Sequence, residues 1–173
     1  RAEQQARLIK PHALLDLHQQ PVSSDVADYL SPDLDQPFPS LSDCYQLLGD
    51  ESAAVPKDER LVSWEVSLGT TRVEQIYLNS AGAQLRQAQR FVFPGLSVTA
   101  FDGNDSQTRT LGGTNFGQQG SAGVIQRFGL VGAARKVADE ALQLLLAPNT
   151  PHGPRDLLLM PDQMILQIHE SIG

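Results

Sequence analysis

From Val62 to Leu68 the chain alternates strictly. Val62, Trp64, Val66 and Leu68 are separated by Ser63, Glu65 and Ser67. A period of two puts one set on each face of a strand, so this segment predicts a half-buried β-strand. The next residues extend the pattern. Gly69-Thr70 predicts a turn, Val73–Leu78 a second strand and Asn79-Ser80-Ala81-Gly82 another turn. Leu85–Phe93 predicts a third strand, broken by Pro94-Gly95. Leu96, Val98 and Ala100 mark a fourth, closed by Asp102-Gly103-Asn104-Asp105. Closely spaced strands with short turns predict an antiparallel β-meander. Many of the outward residues are Gln, Arg, Ser and Thr, so one face is expected to meet water.

Helices flank these strands. Residues 1–20 suggest two short helical pieces around Pro11, with an apolar patch at Ala13, Leu14, Leu15 and Leu17. Pro21, Pro32, Pro37, Pro39 and Pro56 then preclude one continuous element over 21–60. A short helix fits Ser42–Leu48, with Ser40 or Ser42 as cap and Gly49 as stop. Five glycines, Gly112, Gly113, Gly117, Gly120 and Gly123, predict a flexible hairpin or lid. A helix over 124–147 comes after them. Leu130, Ala134, Val137, Ala138, Ala141, Leu142 and Leu145 share one of its faces, Arg135, Lys136, Asp139 and Glu140 the other, and Pro148-Asn149 ends it. The expected fold class is therefore α+β, a meander packed by amphipathic helices. A helical, irregular, Pro-rich segment over 1–59 precedes an α+β domain over 60–173.

Bulk properties narrow the function. A chain of 173 residues with 40% hydrophobic content can bury the core of one ordinary domain. A net charge of -7 argues against a nucleic-acid surface, which needs a dense basic patch. No apolar run is long enough to cross a bilayer. The polar start, Arg1-Ala-Glu-Gln-Gln-Ala, has no signal-peptide pattern. The single Cys44 excludes an internal disulfide and fits a reducing, cytoplasmic setting. Arg at position 1 and the abrupt finish at Gly173 suggest an internal piece of a longer protein.

Few residues suggest chemistry. The Gly-rich loop lacks the Gly-Lys-Ser/Thr ending of a P-loop and the spacing of a dinucleotide fingerprint. No Gly-x-Ser-x-Gly elbow frames a serine. His12, His18 and His152 have no partners at metal-ligand spacing, and Cys44 is expected to be an ordinary thiol. The exception is His169-Glu170. An apolar strand-like block from Leu157, a Pro161-Asp162 break and a helix with Met164, Ile165, Leu166 and Ile168, capped by Asp162, deliver this pair. On a helix, His followed by Glu is half of a metallopeptidase site: the imidazole binds metal and the carboxylate is the general base. A second His four residues on would be at position 173, which is Gly173. A ligand five residues on would lie off the same helical face, unless the helix loosened near Gly173.

The stretch Leu159–Gly173, with its break, apolar helix and His-Glu-Ser-Ile-Gly ending, resembles the TldD branch of the TldD/PmbA family. That family comprises zinc-dependent peptidases also called modulators of DNA gyrase. Its motif is His-Glu-x-x-x-His, and this chain carries the first five positions. Asn79–Gly82, the strand pair around Phe91 and Val98, the Asp102-Gly103 turn, the Gly-rich loop and the helix over 124–147 come in the family's order. The resemblance covers roughly residues 60–173. It implies that His169 is a zinc ligand and Glu170 the general base. It places the second histidine, and a later cysteine ligand, beyond Gly173. It further implies extended or unfolded peptide substrates and a homo- or heterodimer with a family member. With one histidine and one carboxylate, the 173-residue piece is expected to be inactive alone. The competing reading is a non-catalytic interaction or dimerisation domain with an incidental His-Glu pair; an exposed sheet edge could add a peptide strand in either case. Direct action on DNA draws little support from an acidic chain.

Overall fold

Two strands of 18 residues each, β2 (Leu61–Leu78) and β3 (Gln84–Phe101), form one long antiparallel ribbon that organises the whole chain. The structure is a computed structural model that describes residues 2–9, 22–113 and 116–172. In order, its elements are α1 (Ala2–Ile9), β1 (Val26–Leu30), α2 (Leu41–Ala53), β2, β3, β4 (Ser106–Gly112), β5 (Gln118–Gln119), α3 (Gly123–Phe128), α4 (Ala134–Leu146) and α5 (Pro161–Ile172). The class is mixed α+β, as expected. The sheet is not a pure antiparallel meander. β3 lies at its centre, with β2 along one side. Along the other side, β1, β5 and β4 succeed one another end to end, and β1 runs parallel to β3.

The four strands expected between residues 62 and 100 are therefore two. Gly69-Thr70 does not turn. Gly69 pairs with Phe93 in unbroken register, where even a Cβ would meet only the Phe93 side chain, at 3.6 Å. Thr70 Oγ1 also donates to the Phe91 carbonyl at 3.2 Å. Pro94 does not break β3 either. Its carbonyl accepts from Gly113 N at 2.9 Å, on the same side of the strand where Arg90 O accepts from Gly120 N. The missing proline N–H therefore points to the junction between the ends of β5 and β4, where no ladder bond is forfeited. The turn at 79–83 is as expected. Asn79 Oδ1 accepts from Ala81 N and Ala83 N at 3.0 and 2.9 Å.

The core lies on the face of β3 that carries its even-numbered side chains. Val92, Leu96, Val98 and Ala100 are buried there with Leu61, Val124, Ile125, Leu130 and Val137. Trp64, Val66 and Leu68 pair with Val98, Leu96 and Pro94, so the alternation correctly assigns them to this face. Ala134, Ala138 and Ala141 let α4 lie close to the sheet. The single helix expected over 124–147 is two. Gly129, at φ 78°, caps α3 in the left-handed region, and Leu130 drops from the connector into the core. The Gly-rich segment is no lid where it is described. Gly112 ends β4 at φ 67°, where a Cβ would collide with Pro94 O and the Phe128 ring, and β5 rejoins β3.

Upstream, α2 is longer than expected. Ser40 caps it through a reciprocal capping box with Asp43, but the helix runs through Gly49 to Ala53. Its Ser52 Oγ accepts from Trp64 Nε1 at 2.9 Å, which ties α2 to β2. The first expected N-terminal helical piece is α1. The second, and with it Pro11, His12 and His18, lies outside the described residues.

Candidate functional site

His169 and Glu170 occupy the last turns of α5. The helix begins at Pro161, a residue suited to a first helical position because it has no N–H to leave unbonded. Met160 O accepts from Gln163 N and Met164 N at 2.9 Å each and starts the hydrogen-bond ladder. Asp162 is thus inside the first turn and not at the cap. The Leu157–Met160 block preceding the helix forms no strand, and Leu157 and Leu158 are exposed.

Helical periodicity fixes what the pair can do. Pro161, Ile165, Ile168 and Ile172 recur at helical spacing and form one apolar stripe. His169 lies about 40° beyond Ile165, at the edge of that stripe, and Glu170 about 100° further round. Glu170 therefore faces almost opposite Ile168. If the stripe is covered, both side chains stay accessible, the imidazole at its edge and the carboxylate on the far side. Ile165, Leu166, Ile168 and Ile172 are each at least half exposed. His169 and Glu170 are exposed too. Gln167 Nε2 donates to Ser171 Oγ at 2.9 Å on the polar side of the same turns.

As a metal centre, this arrangement is partial. A catalytic zinc takes three protein ligands plus water. Among the described residues, no three His, Cys, Asp or Glu side chains stand close enough to hold a metal ion. His169 offers one imidazole, Glu170 one carboxylate, and no closed shell is formed around them. His152 and Cys44 are not brought to them as ligands. Cys44 is half-buried on α2, its Sγ 3.9 Å from Pro39 O, which fits an ordinary thiol.

Two groups that periodicity did not single out are more firmly embedded. Arg90 sits between Ala88 and Val92 on the core side of β3. Its Nη1 donates to Gln36 O at 3.0 Å and Ser121 Oγ at 2.9 Å, and its guanidinium lies 5.8 Å from the Phe38 ring centre. It staples the segment before α2 to the segment after β5. Glu51 is a buried carboxylate of α2 whose Oε1 accepts from Gly132 N. The only signal for Glu51 in the sequence is an acid within the helical frame of Leu47 and Leu48. No helix among the described residues is long and apolar enough to cross a membrane.

Known proteins match much of the chain. The profile of the PmbA/TldA metallopeptidase central domain matches residues 35–145. That span covers α2 through most of α4 and stops short of His169 and Glu170. A protein of Methanothermobacter thermautotrophicus described as a metalloprotease is 28% identical over 128 residues. The alignment takes in 74% of this chain and 27% of that relative, so the chain spans much less than two thirds of the relative's length. No solved structure matches the chain. With well over half of its residues matched by the profile, this chain belongs to the PmbA/TldD family of metallopeptidases.

Proposed function

We propose that this chain contributes to a zinc-dependent peptidase acting on extended or unfolded peptides, with His169 as one metal ligand and Glu170 as the general base. One observation carries the reading: adjacent imidazole and carboxylate groups stand at the edge and far side of an apolar helical stripe, in a chain of a metallopeptidase family. The remaining ligands would come from residues outside this sequence. Zinc, when bound, would polarise the scissile carbonyl and make water acidic enough to attack near neutral pH. Glu170 would accept the proton of that water and pass it to the departing amine. The rigid α5 backbone would fix the separation of the two side chains. By itself the 173-residue piece would be inactive. Partnership with a second family member, as homo- or heterodimer, and a cytoplasmic setting belong to the same proposal.

The alternative is a non-catalytic interaction or dimerisation domain. It draws on the exposed apolar faces of α5 and of the β1–β3–β2 arm, which suit docking as well as catalysis. The test is peptide cleavage by the full-length protein and its Glu170→Gln variant. Loss of about two or more orders of magnitude in kcat with zinc retained would support the base. Equal cleavage by both would remove Glu170 from the mechanism.

A further inference from the structure

A crevice of about 320 Å³ separates α2 from the turn that leads into α4. Its lining is unusual for its charge: Asp43, Asp50 and Glu51, with Gln46, Leu47 and Val131. Among the described residues none of the three carboxylates is in an ion pair; the ion pairs there use Asp58, Glu74 and Glu140. One oxygen of each carboxylate is committed. Asp43 Oδ2 accepts from Ser40 N and Oγ, Asp50 Oδ1 from Gln46 Nε2, and Glu51 Oε1 from Gly132 N. The other oxygen of each accepts nothing from side chains or backbone among the described residues.

Glu51 makes this more than an acidic surface. It is only 6% exposed, the one buried residue in a lining otherwise exposed or, at Leu47, half-buried, and so forms the floor. Its Oε2 is buried without a hydrogen-bond partner. A buried carboxyl oxygen left unpaired is expensive, and a native protein that keeps one has a use or a partner for it. The missing partner is a cation or a strong donor. A single metal ion is a poor match, because among the described residues no three acidic side chains close to metal-binding separation. The lining instead fits a cation on an alkyl stem. Leu47 and Val131 offer apolar walls for the methylenes, while Asp43, Asp50 and Glu51 offer acceptors for a spread-out, multi-donor head.

We propose that this crevice binds an alkylguanidinium or alkylammonium group, the chemistry of an arginine or lysine side chain. The site is independent of α5 and does not rest on the peptidase reading. Arginine suits it better than lysine, since a planar head with five donors can reach two or three separate carboxylates at once. Oε2 is closed to solvent, so binding would turn the Glu51 carboxylate towards the crevice, give Oε2 a charge-assisted hydrogen bond and so couple occupancy to the α2–Gly132 contact that seats the start of α4.

The test is calorimetric titration of the full-length protein with N-acetyl-arginine amide, with N-acetyl-leucine amide as control. A third arm, a terminally capped hexapeptide whose one charged residue is a central arginine, distinguishes a free small cation from a side chain carried on a polypeptide. Saturable binding of either arginine form, absent for the leucine form and weakened by added salt, supports the site. Asp50 is exposed and bonded only to Gln46, so Asp50→Asn should leave the fold intact and weaken binding about threefold. Glu51→Gln, checked for folding by its melting temperature, should weaken it more than tenfold. The proposal is overturned if neither arginine form saturates. It is equally overturned if the leucine form binds as well, or if Asp50→Asn leaves the affinity unchanged.

Discussion

The β2–β3 ribbon is one structural object with two different halves. From Leu61 to Gly69 and Phe93 to Phe101 it lies beneath α2, α3 and α4, and the even-numbered side chains of β3 are fully buried. From Val73 to Leu78 and Gln84 to Gln89 it extends past the helices as an arm, joined on one side by β1. On the arm, Ile76 and Leu78 are 67% and 66% exposed, whereas Val98 and Ala100 on the same side of the sheet are 0% exposed. Backbone pairing continues unchanged across the boundary. Strand register and side-chain burial are therefore set by different things here: register by the neighbouring strand, burial by the helix overhead. Arg90 marks the border, its guanidinium turned back onto Gln36, Ser121 and Phe38.

This contrast can be broken or sharpened by substitution. The largest effect is expected in the covered half, where Leu96→Ala removes a side chain packed on all sides and should cost about 2–5 kcal/mol in unfolding free energy. The matching truncation on the arm, Ile76→Ala, should stay within about 0.5 kcal/mol by denaturant titration. If the two cost the same, the arm is covered in solution and the contrast fails.

Between these limits lies the junction that holds the helices over the covered half. Glu51→Ala removes the acceptor of Gly132 N–H, and urea unfolding should show a loss of about 1–3 kcal/mol. Ser40→Ala, which opens the capping box of α2, should cost about 1 kcal/mol by the same measurement.

The smallest effect is a pH dependence at the edge of the covered half. The Arg60 side chain donates to Asp58 and is the main cause holding that carboxyl down at about 2, from an ordinary 3.8. A depressed carboxylate favours the folded state above its unfolded value, and that contribution is lost as pH falls from about 4 towards 2. Arg60 is exposed and Asp58 is only half-buried, so the effect on stability should be slight and screened by salt. Carboxyl NMR should place the Asp58 midpoint near 2, and Arg60→Ala should return it towards the ordinary value.

Much of the ribbon and of its helices was legible in local sequence. Alternation put Trp64, Val66 and Leu68 on one face, Asn79–Gly82 marked the hairpin turn, and Ser40 marked a helix start. The misread positions are those where a neighbour decides. Gly69 and Pro94 carry breaker signals, yet their pairing across the ribbon and the β5–β4 junction absorb both. Gly129 splits one amphipathic pattern into two helices because Leu130 finds a place in the core. The parallel pairing of Val26–Leu30 with Gln84–Ala88 joins segments far apart in sequence, and no local period encodes that. His169-Glu170 was legible as a dipeptide on a helix. Which further side chains would complete the proposed metal centre was not, because ligand sets assemble across a fold. Glu51 escaped notice because burial of a single acid within a helix leaves no periodic trace.

The central functional claim is that α5 carries one ligand of a metal centre. Metal analysis of the full-length protein beside its His169→Ala variant tests it most directly. The account predicts near-stoichiometric zinc in the first and loss of most of it in the second, with the melting behaviour of the 35–145 domain unchanged. Equal zinc in both, or none in either, would contradict it and leave α5 as a docking helix.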